Sequence, residues 1–224
     1  MLIHPWDAAL DTAEWRDWLA GTDRFGLLVV GNLDRSQAPV VVPTHFTLAT
    51  SEVLVHLARS NPVWPHLEAV EEVRLVVVGA YAFIPGYWRA GPDVPAEDGV
   101  PTSYYATVQL VCRPTVVDDP DGKAEVLAAQ LADFQPEGRH AEPAPDRPPY
   151  GRLLPGIRAL RLEVLRVEAK FKYDDQKPVE HRERVMSRLQ ERRRGLDESA
   201  AAQQRRRLDA IGEWPGRDRP RRRE

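Results

Sequence analysis

The segment His56-Leu57-Ala58-Arg59-Ser60-Asn61-Pro62 joins the end of an apolar, β-branched stretch to a run of polar side chains. The apolar stretch predicts a strand, and Asn61 followed by Pro62 is a favourable N-cap and first residue for a short helix. Arg59, the Ser60 hydroxyl, the Asn61 amide and the N–H groups at a helix start can all donate to one phosphate or carboxylate. An ordinary polar strand end with a helix cap explains the same residues, so two interpretations stay open.

The chain on either side of this segment predicts many short strands and few helices. Asp11 and Glu14 have the capping-box spacing of a short N-terminal helix, and Asp119-Pro120 starts an amphipathic helix. The predicted strands are Gly26–Gly31, Ala38–Thr47, Val53–Leu57, Val73–Val78, Tyr81–Ile84, Tyr104–Val117 and the alternating stretch around Leu160–Val164. Short strands separated by turns indicate a mainly β fold of the α+β class with flanking helices, a barrel or sandwich rather than a doubly wound sheet.

The composition indicates a globular protein, because 42% of the 224 residues are apolar and 29% are charged. Lys and Arg number 31 and Asp and Glu number 34, so the net charge of −3 gives the whole molecule no bias toward nucleic acid or anionic membrane. The single cysteine, Cys112, excludes an intramolecular disulfide and suits a reducing compartment. The first residues do not resemble a signal peptide, and the apolar runs are too short to span a bilayer. We therefore expect a soluble, cytoplasmic protein.

Arginines accumulate toward the C-terminus, in Arg192-Arg193-Arg194, Arg205-Arg206-Arg207 and Arg221-Arg222-Arg223. This change predicts a division into a domain of residues 1–195 and an arginine-rich tail of residues 196–224, helical at first and disordered from Trp214 onward. The tail has two interpretations: a weak electrostatic contact with DNA, or a solvated helix face, since acidic residues are interleaved with the arginines.

No nucleophile elbow, phosphate-binding loop, dinucleotide fingerprint or HExxH motif occurs in the sequence, which argues against a hydrolase or a nucleoside-triphosphate enzyme. Polar and aromatic side chains instead gather near predicted strand ends. Aromatic faces beside hydroxyl groups suit a flat heteroaromatic ring, and two lysines spaced by two residues on a strand can meet one anion. Core packing or solvent exposure explains each group equally well when it is taken alone. The groups are Thr44-His45-Phe46, Tyr87-Trp88, Thr102 with Tyr105, and Lys170 with Lys172.

Taken in their order along the chain, these groups resemble the PaiB-like family of FMN-binding negative transcriptional regulators. The resemblance extends from the N-terminus to about Leu189, and the His-x-Ala-Arg-x-Asn-Pro string is its most specific part. The stretches that carry it are Pro43-Thr44-His45-Phe46, His56–Trp64, Ala82–Trp88, Pro101–Tyr105 and Lys170-Phe171-Lys172 up to Pro178.

The resemblance implies a split β-barrel, a homodimer and an FMN site at the subunit interface. It places the FMN phosphate at Arg59, Ser60 and Asn61, with Thr44, His45 and His56 nearby. It places the flavin ring among Tyr87, Trp88, Thr102 and Tyr105, with Lys170 or Lys172 approaching from the C-terminal strand. The chain departs from the family pattern at Ser103-Tyr104 and at Asp174-Asp175, where two acidic residues add negative charge near the expected anion.

One branch of this scaffold resembles the haem-dependent piperazate synthases, in which a histidine matching His56 is the expected iron ligand. Neutral imidazole is a good axial ligand, and Arg59 with Asn61 would then hold propionates instead of a phosphate. The sequence thus supports an FMN-binding regulator or flavin-dependent redox protein, with a haem enzyme that joins two nitrogens as the alternative. No residue declares itself catalytic, although His45 and Tyr105 are the nearest candidates for acid–base chemistry.

Overall fold

The computed structural model describes residues 1–91 and 93–215, which divide into two compact units. The first unit combines Met1–Trp15, Val78–Val108 and the described residues from Ala169 onward. The second combines Arg16–Val77 and Gln109–Glu168.

Within these described residues, seven strands and seven α-helices form. The strands are β1 (Phe25–Val30), β2 (Val40–His45), β3 (Thr47–Leu48), β4 (Glu52–Ala58), β5 (Val73–Ile84), β6 (Thr102–Val117) and β7 (Ile157–Lys172). The helices are α1 (Thr12–Ala20), α2 (Trp64–Ala69), α3 (Gly86–Arg89), α4 (Pro120–Phe134), α5 (Tyr150–Leu153), α6 (Val179–Arg192) and α7 (Asp197–Ile211).

The strands of the described chain form one sheet in the order β2-β1-β5-β6-β7-β4-β3. Antiparallel pairing joins β1 to β2 and to β5, and joins β4 to β3 and to β7. The long register of β4 against β7 runs from Glu52 opposite Glu163 to Ala58 opposite Ile157, and it places His56 opposite Ala159. The expectation of a mainly β fold with flanking helices is confirmed.

In the second unit, helix α4 packs across strands β4 and β7. Val126 contacts Leu54 and Ala159 in a small apolar core. Asp119 caps the helix, as the sequence predicts, because its carboxylate accepts the Gly122 N–H at 2.7 Å. The helix therefore begins at Pro120, and its later turns reach β4, where Gln130 donates to the Leu54 carbonyl, and β3, where Asp133 accepts from Thr47.

In the first unit, helices α6 and α7 are held by buried ion pairs. The fully buried carboxylate of Asp175 accepts hydrogen bonds from Arg182, at 2.8 Å, and from Arg207. Arg207 also donates to both oxygens of Glu14, at 2.7 and 3.0 Å. Neither sequence interpretation of the arginine-rich tail describes Arg207, because its side chain has no solvent exposure, and the same is true of Arg182, which precedes the tail.

Two local predictions are wrong. The helix expected to start at Asn61-Pro62 begins only at Trp64, and the Asn61 side chain instead accepts the Val63 N–H at 3.0 Å in a local turn. The two strands expected on either side of Gly79 are one strand, β5, in which Ala80 adopts a φ of +47° without ending the strand.

The predicted division at residue 196 stays a prediction. Disorder was predicted for residues 214–224, and of these residues 216–224 lie outside the described part of the chain. Across the described chain, no helix combines the length and the apolar character that crossing a membrane would require.

Candidate functional site

Three of the predicted cofactor residues lie around one cavity in the second unit. Thr44 and His45 come from the end of β2 and His56 comes from β4, and the cavity between them has a volume of about 540 Å³. Its apolar wall comes from β1 and α4, through Phe25, Leu127, Leu131 and Phe134. We call this space the histidine cavity; its size and lining are those of a small-molecule site.

His56 is oriented by a buried amide. Its Nδ1 lies 2.6 Å from Oε1 of Gln130, and the Gln130 Nε2 donates to the Leu54 carbonyl at 3.3 Å. Because the amide nitrogen is committed to Leu54, the amide oxygen faces the imidazole, and the neutral ring carries its proton on Nδ1. Within the described residues Nε2 has no hydrogen-bond partner, so its lone pair is free for a ligand.

His45 lies between two phenyl rings. Its ring meets Phe25 edge to face at a centroid distance of 4.8 Å and meets Phe134 at 5.4 Å. The Arg24 guanidinium lies 5.0 Å from the centroid of Phe134 and pairs with Asp133 at 2.9 Å. The edge-to-face contacts set the orientation of the three rings, and aromatic rings around a cavity suit a flat aromatic ligand.

The Thr44 hydroxyl contributes less to the cavity than predicted. It donates to the neighbouring His45 carbonyl at 3.0 Å, and the residue is buried. A ligand could therefore use this oxygen only as an acceptor.

Among the described residues, three cations contact the exposed carboxylate of Asp118. Arg59 donates to both oxygens, with Nη1 at 3.1 Å from Oδ2. Lys123 Nζ lies 3.7 Å from Oδ1, and Arg158 Nε lies 3.4 Å from Oδ2. The hydrogen bond from Arg59 holds the pKa of Asp118 below its ordinary value, against the opposing effect of burial. We call Arg59, Lys123 and Arg158 the cation cluster.

The cation cluster lies a short way along β4 and α4 from the histidine cavity. Arg59 follows His56 by three residues of extended chain, about 10 Å. Lys123 precedes Gln130 by seven helical residues, also about 10 Å. Arg158 also pairs with Glu68 at 2.6 Å, so the three cations carry one positive charge in excess of the carboxylates of Asp118 and Glu68. The Ser60 hydroxyl and the Asn61 amide nitrogen have no hydrogen-bond partner among the described residues.

Four further predicted residues come together in the first unit. Lys172 Nζ donates to the Thr102 hydroxyl at 2.8 Å, and the amines of Lys170 and Lys172 lie 5.6 and 5.9 Å from the centroid of the Tyr105 ring. Lys170 also donates to the Leu2 carbonyl at 2.8 Å. The two lysines project to the same side of β7, as their spacing predicts.

The predicted pair Tyr87-Trp88 lies on α3. The Trp88 indole is buried, and the Arg192 guanidinium lies 4.6 Å from its centroid. One face of this ring is therefore occupied by an arginine, while Tyr87 stays exposed.

The acidic pair that departs from the family pattern is compensated by arginines. Asp174 accepts from Arg89 at 3.1 and 3.2 Å and from the Tyr104 hydroxyl at 3.1 Å. Burial acts to raise the pKa of Asp174, but its contacts with His181 and Arg89 outweigh burial and lower that pKa. The extra negative charge is thus neutralised by ion pairs within the first unit.

Sequence reasoning missed Gln130 and the two basic residues that join Arg59. A signal for Gln130 existed, because it shares the helical spacing of Leu127, Leu131 and Phe134 and is thus a polar residue on an apolar face. Lys123 and Arg158 carried no such signal, since only the packing of α4 against β7 brings them to Asp118.

Residues 1–166 match the family model described as "Putative FMN-binding domain". A search of curated protein sequences found no match.

Solved structures share the fold at low identity. The flavocytochrome Anf3 from Azotobacter vinelandii is 18% identical, covers 75% of this chain and 70% of its own, and has a TM-score of 0.58. The FAD and heme binding protein from Mycobacterium smegmatis is 19% identical, with coverages of 74% and 73% and a TM-score of 0.56. A 5-nitroimidazole antibiotic resistance protein, so described provisionally, from Bacteroides thetaiotaomicron is 11% identical, with coverages of 73% and 85% and a TM-score of 0.54. The predicted split β-barrel fold of the FMN-binding type is confirmed.

Proposed function

The chain belongs to the FMN-binding domain family, and from that premise we propose that it is a flavin-dependent redox protein that holds FMN in the second unit. The flavin ring lies in the histidine cavity and the phosphate lies at the cation cluster. Both places fall within the residues that match the family model.

One observation carries this proposal: Arg59, Lys123 and Arg158 converge on the exposed carboxylate of Asp118, which directly follows β6. FMN bears its ring and its phosphate at opposite ends of a ribityl chain, so it needs two sites along one surface. The histidine cavity and the cation cluster supply an apolar site and an anion site about 10 Å apart. The Ser60 hydroxyl and the Asn61 amide add neutral donors beside the arginines.

Bound FMN would supply hydride or electron transfer, and the protein would supply orientation and electrostatics. Phe25 and Phe134 would pack on the ring, while His45 and His56 would offer polar edges to it. Asp118 holds the cations in place until a phosphate competes for them.

The proposal is tested by calorimetric titration with FMN and with riboflavin, which lacks the phosphate. Arg59→Gln removes a charge-assisted contact and should weaken FMN binding about ten-fold while leaving riboflavin binding unchanged. The matched control is Arg161→Gln, since Arg161 is also an ion-paired strand residue but contacts Glu52 and Glu125 instead of Asp118. Equal losses for FMN and riboflavin in Arg59→Gln, or no FMN binding at all, would refute the proposal.

A haem enzyme is the second candidate, and the His56–Gln130 contact favours it. The amide acceptor on Nδ1 leaves Nε2 as a neutral donor to iron, an arrangement common in metal sites. The cation cluster would then hold propionates. Adding haem to the protein should produce a Soret band that His56→Ala removes; no band in the wild-type protein would eliminate this candidate.

A homodimer is part of the proposal. Phe25, Leu27 and Val41 project from β1 and β2 with 41–50% of their surface exposed. Such a row of apolar side chains is typical of a surface that another chain covers. Sedimentation analysis should show a dimer in the wild-type protein and a monomer in Leu27→Asp.

The transcriptional-regulator role receives less support than redox function. Ion pairs engage three arginines of the C-terminal part of the chain: Arg182 with Asp175, Arg192 with Asp197, and Arg207 with Glu14. These arginines are unavailable to phosphates of a nucleic acid.

A further inference from the structure

The first unit contains its own cavity, with a volume of about 800 Å³. Tyr81 and Phe83 of β5 form one wall together with Tyr105 of β6. Tyr81 is 57% exposed and Phe83 is 60% exposed, although large aromatic side chains are usually covered. We call this space the aromatic cavity.

The opposite wall comes from the loop between α6 and α7, through Arg194, Gly195 and Leu196, with Arg192 and Asp197 at the two ends of the loop. Asp197 fixes this loop, because its carboxylate accepts from the Arg194 N–H at 2.8 Å and from two nitrogens of Arg192 at 2.7 Å each. Arg192 also donates to the Phe83 carbonyl at 2.9 Å, which ties the loop to β5. The loop lies beyond residue 166, so this wall is not part of the region that matches the FMN-binding family.

The aromatic cavity has an unbalanced positive charge. Two guanidiniums, of Arg192 and Arg194, face one carboxylate, that of Asp197. Asp197 forms an ion pair with Arg192 at 2.7 Å, whereas the Arg194 guanidinium forms no ion pair or hydrogen bond among the described residues and acts on Asp197 only through its charge. The amine of Lys172 lies 5.9 Å from the centroid of the Tyr105 ring and adds positive potential, whereas the charge of the neighbouring Lys170 is offset by Asp7 at 3.7 Å. An anion is therefore favoured here over a neutral or cationic ligand.

We propose that the aromatic cavity binds a planar aromatic anion, an aryl carboxylate or aryl phosphate. Its ring packs on Tyr81 and Phe83, and its acid group pairs with Arg194, whose planar guanidinium fits either acid in a two-point contact. A fixed loop facing a strand forms a cleft of small-molecule size, which favours a small ligand over a second protein chain. The residues of this site do not overlap those of the histidine cavity and the cation cluster, although Tyr105 is one of the residues that the family resemblance assigns to the flavin ring.

Calorimetric titration tests the proposal with three probes: 1-naphthoate, 1-naphthyl phosphate and the neutral 1-naphthalenemethanol. The wild-type protein should bind at least one of the two anions at least ten-fold more tightly than the alcohol, and the comparison of the two anions decides between a carboxylate and a phosphate. Arg194→Gln should raise the dissociation constant for the anion about ten-fold and leave that for the alcohol unchanged.

Arg193→Gln is the matched control. This substitution removes the same charge from the neighbouring position, and Arg193 does not line the aromatic cavity. It should leave anion binding unchanged, and FMN titration of both variants should match the wild-type protein. A further variant, Phe83→Ser, removes an exposed ring and should weaken both the anions and the alcohol.

Three results would overturn the proposal. One is equal anion affinity in Arg194→Gln and Arg193→Gln. Another is equal affinity of the wild-type protein for the anions and the alcohol. The third is a combination of results: the wild-type protein is a dimer and binds no probe, whereas the Phe83→Asp variant is a monomer. A second copy of the chain would then cover this face of the protein.

Discussion

At the scale of single residues, the orientation of His56 is decided by Gln130. A buried glutamine that gives its nitrogen to the Leu54 carbonyl can offer only its oxygen to the imidazole. The lone pair of His56 Nε2 is thereby kept available, whether the bound group is a flavin edge or an iron.

Gln130→Leu should release this constraint. The hydrogen bond is lost, so the proton of His56 should distribute between Nδ1 and Nε2, at a cost of about 1 kcal/mol in the free energy of unfolding. Two-bond nitrogen–proton NMR spectra of the imidazoles measure the tautomer, with His45 as the internal control. An unchanged Nδ1–H tautomer at His56 in the variant would contradict the assignment.

Asp118 is predicted to titrate below its ordinary pKa of 3.8, chiefly because Arg59 donates hydrogen bonds to its carboxylate. A carboxyl whose pKa is depressed in the folded state contributes stability above its unfolded pKa, and that contribution is lost as pH falls through the folded-state pKa. NMR titration of Asp118 should show this depression in the wild-type protein and a return toward 3.8 in Arg59→Gln. The same pKa in both proteins would show that Arg59 does not hold the carboxylate.

At the scale of elements, the start and the apolar face of helix α4 were predictable from the sequence, but the residues that the helix contacts were not. Its start follows from Asp119-Pro120, and its apolar face follows from the spacing of Val126 and Leu127. Its neighbours depend on tertiary packing, which no local pattern encodes. The strand ending at Ala58 was predictable because, like the start of α4, it follows from a local sequence pattern. The predicted helix start at Asn61 is wrong because the Asn61 side chain accepts the Val63 N–H in a local turn instead of capping a helix.

We expect helix α7 to stabilise the fold through its buried arginine, rather than to serve as a charged surface. Arg207→Ala would leave the buried carboxylates of Glu14 and Asp175 with fewer partners, and the free energy of unfolding should fall by roughly 3–5 kcal/mol. Arg205→Ala is the matched control, since Arg205 is half exposed, lies 3.7 Å from Glu183 and should cost less than about 1 kcal/mol. Denaturant unfolding measures both changes. Similar losses in the two variants would mean that the buried network does not anchor the helix.

At the scale of the whole molecule, the order of motifs along the chain was enough to predict the fold and the cofactor family. It did not predict that Thr44, His45 and His56 line a cavity of the second unit while Thr102, Tyr105 and the two lysines gather in the first. Every predicted cofactor residue carries the same kind of signal in sequence, a polar or aromatic side chain near a strand end. Only the packed structure separates the residues around the histidine cavity from those around Tyr105.

The central claim is that the FMN phosphate lies in the cation cluster, and phosphorus-31 NMR of bound FMN tests it most directly. The resonance should shift when FMN binds the wild-type protein and the Arg161→Gln control, because arginine contacts change the phosphate environment. In Lys123→Gln or Arg59→Gln, FMN that is still bound should show a resonance close to that of free FMN. Bound FMN with the same phosphorus shift in all four proteins would contradict the account.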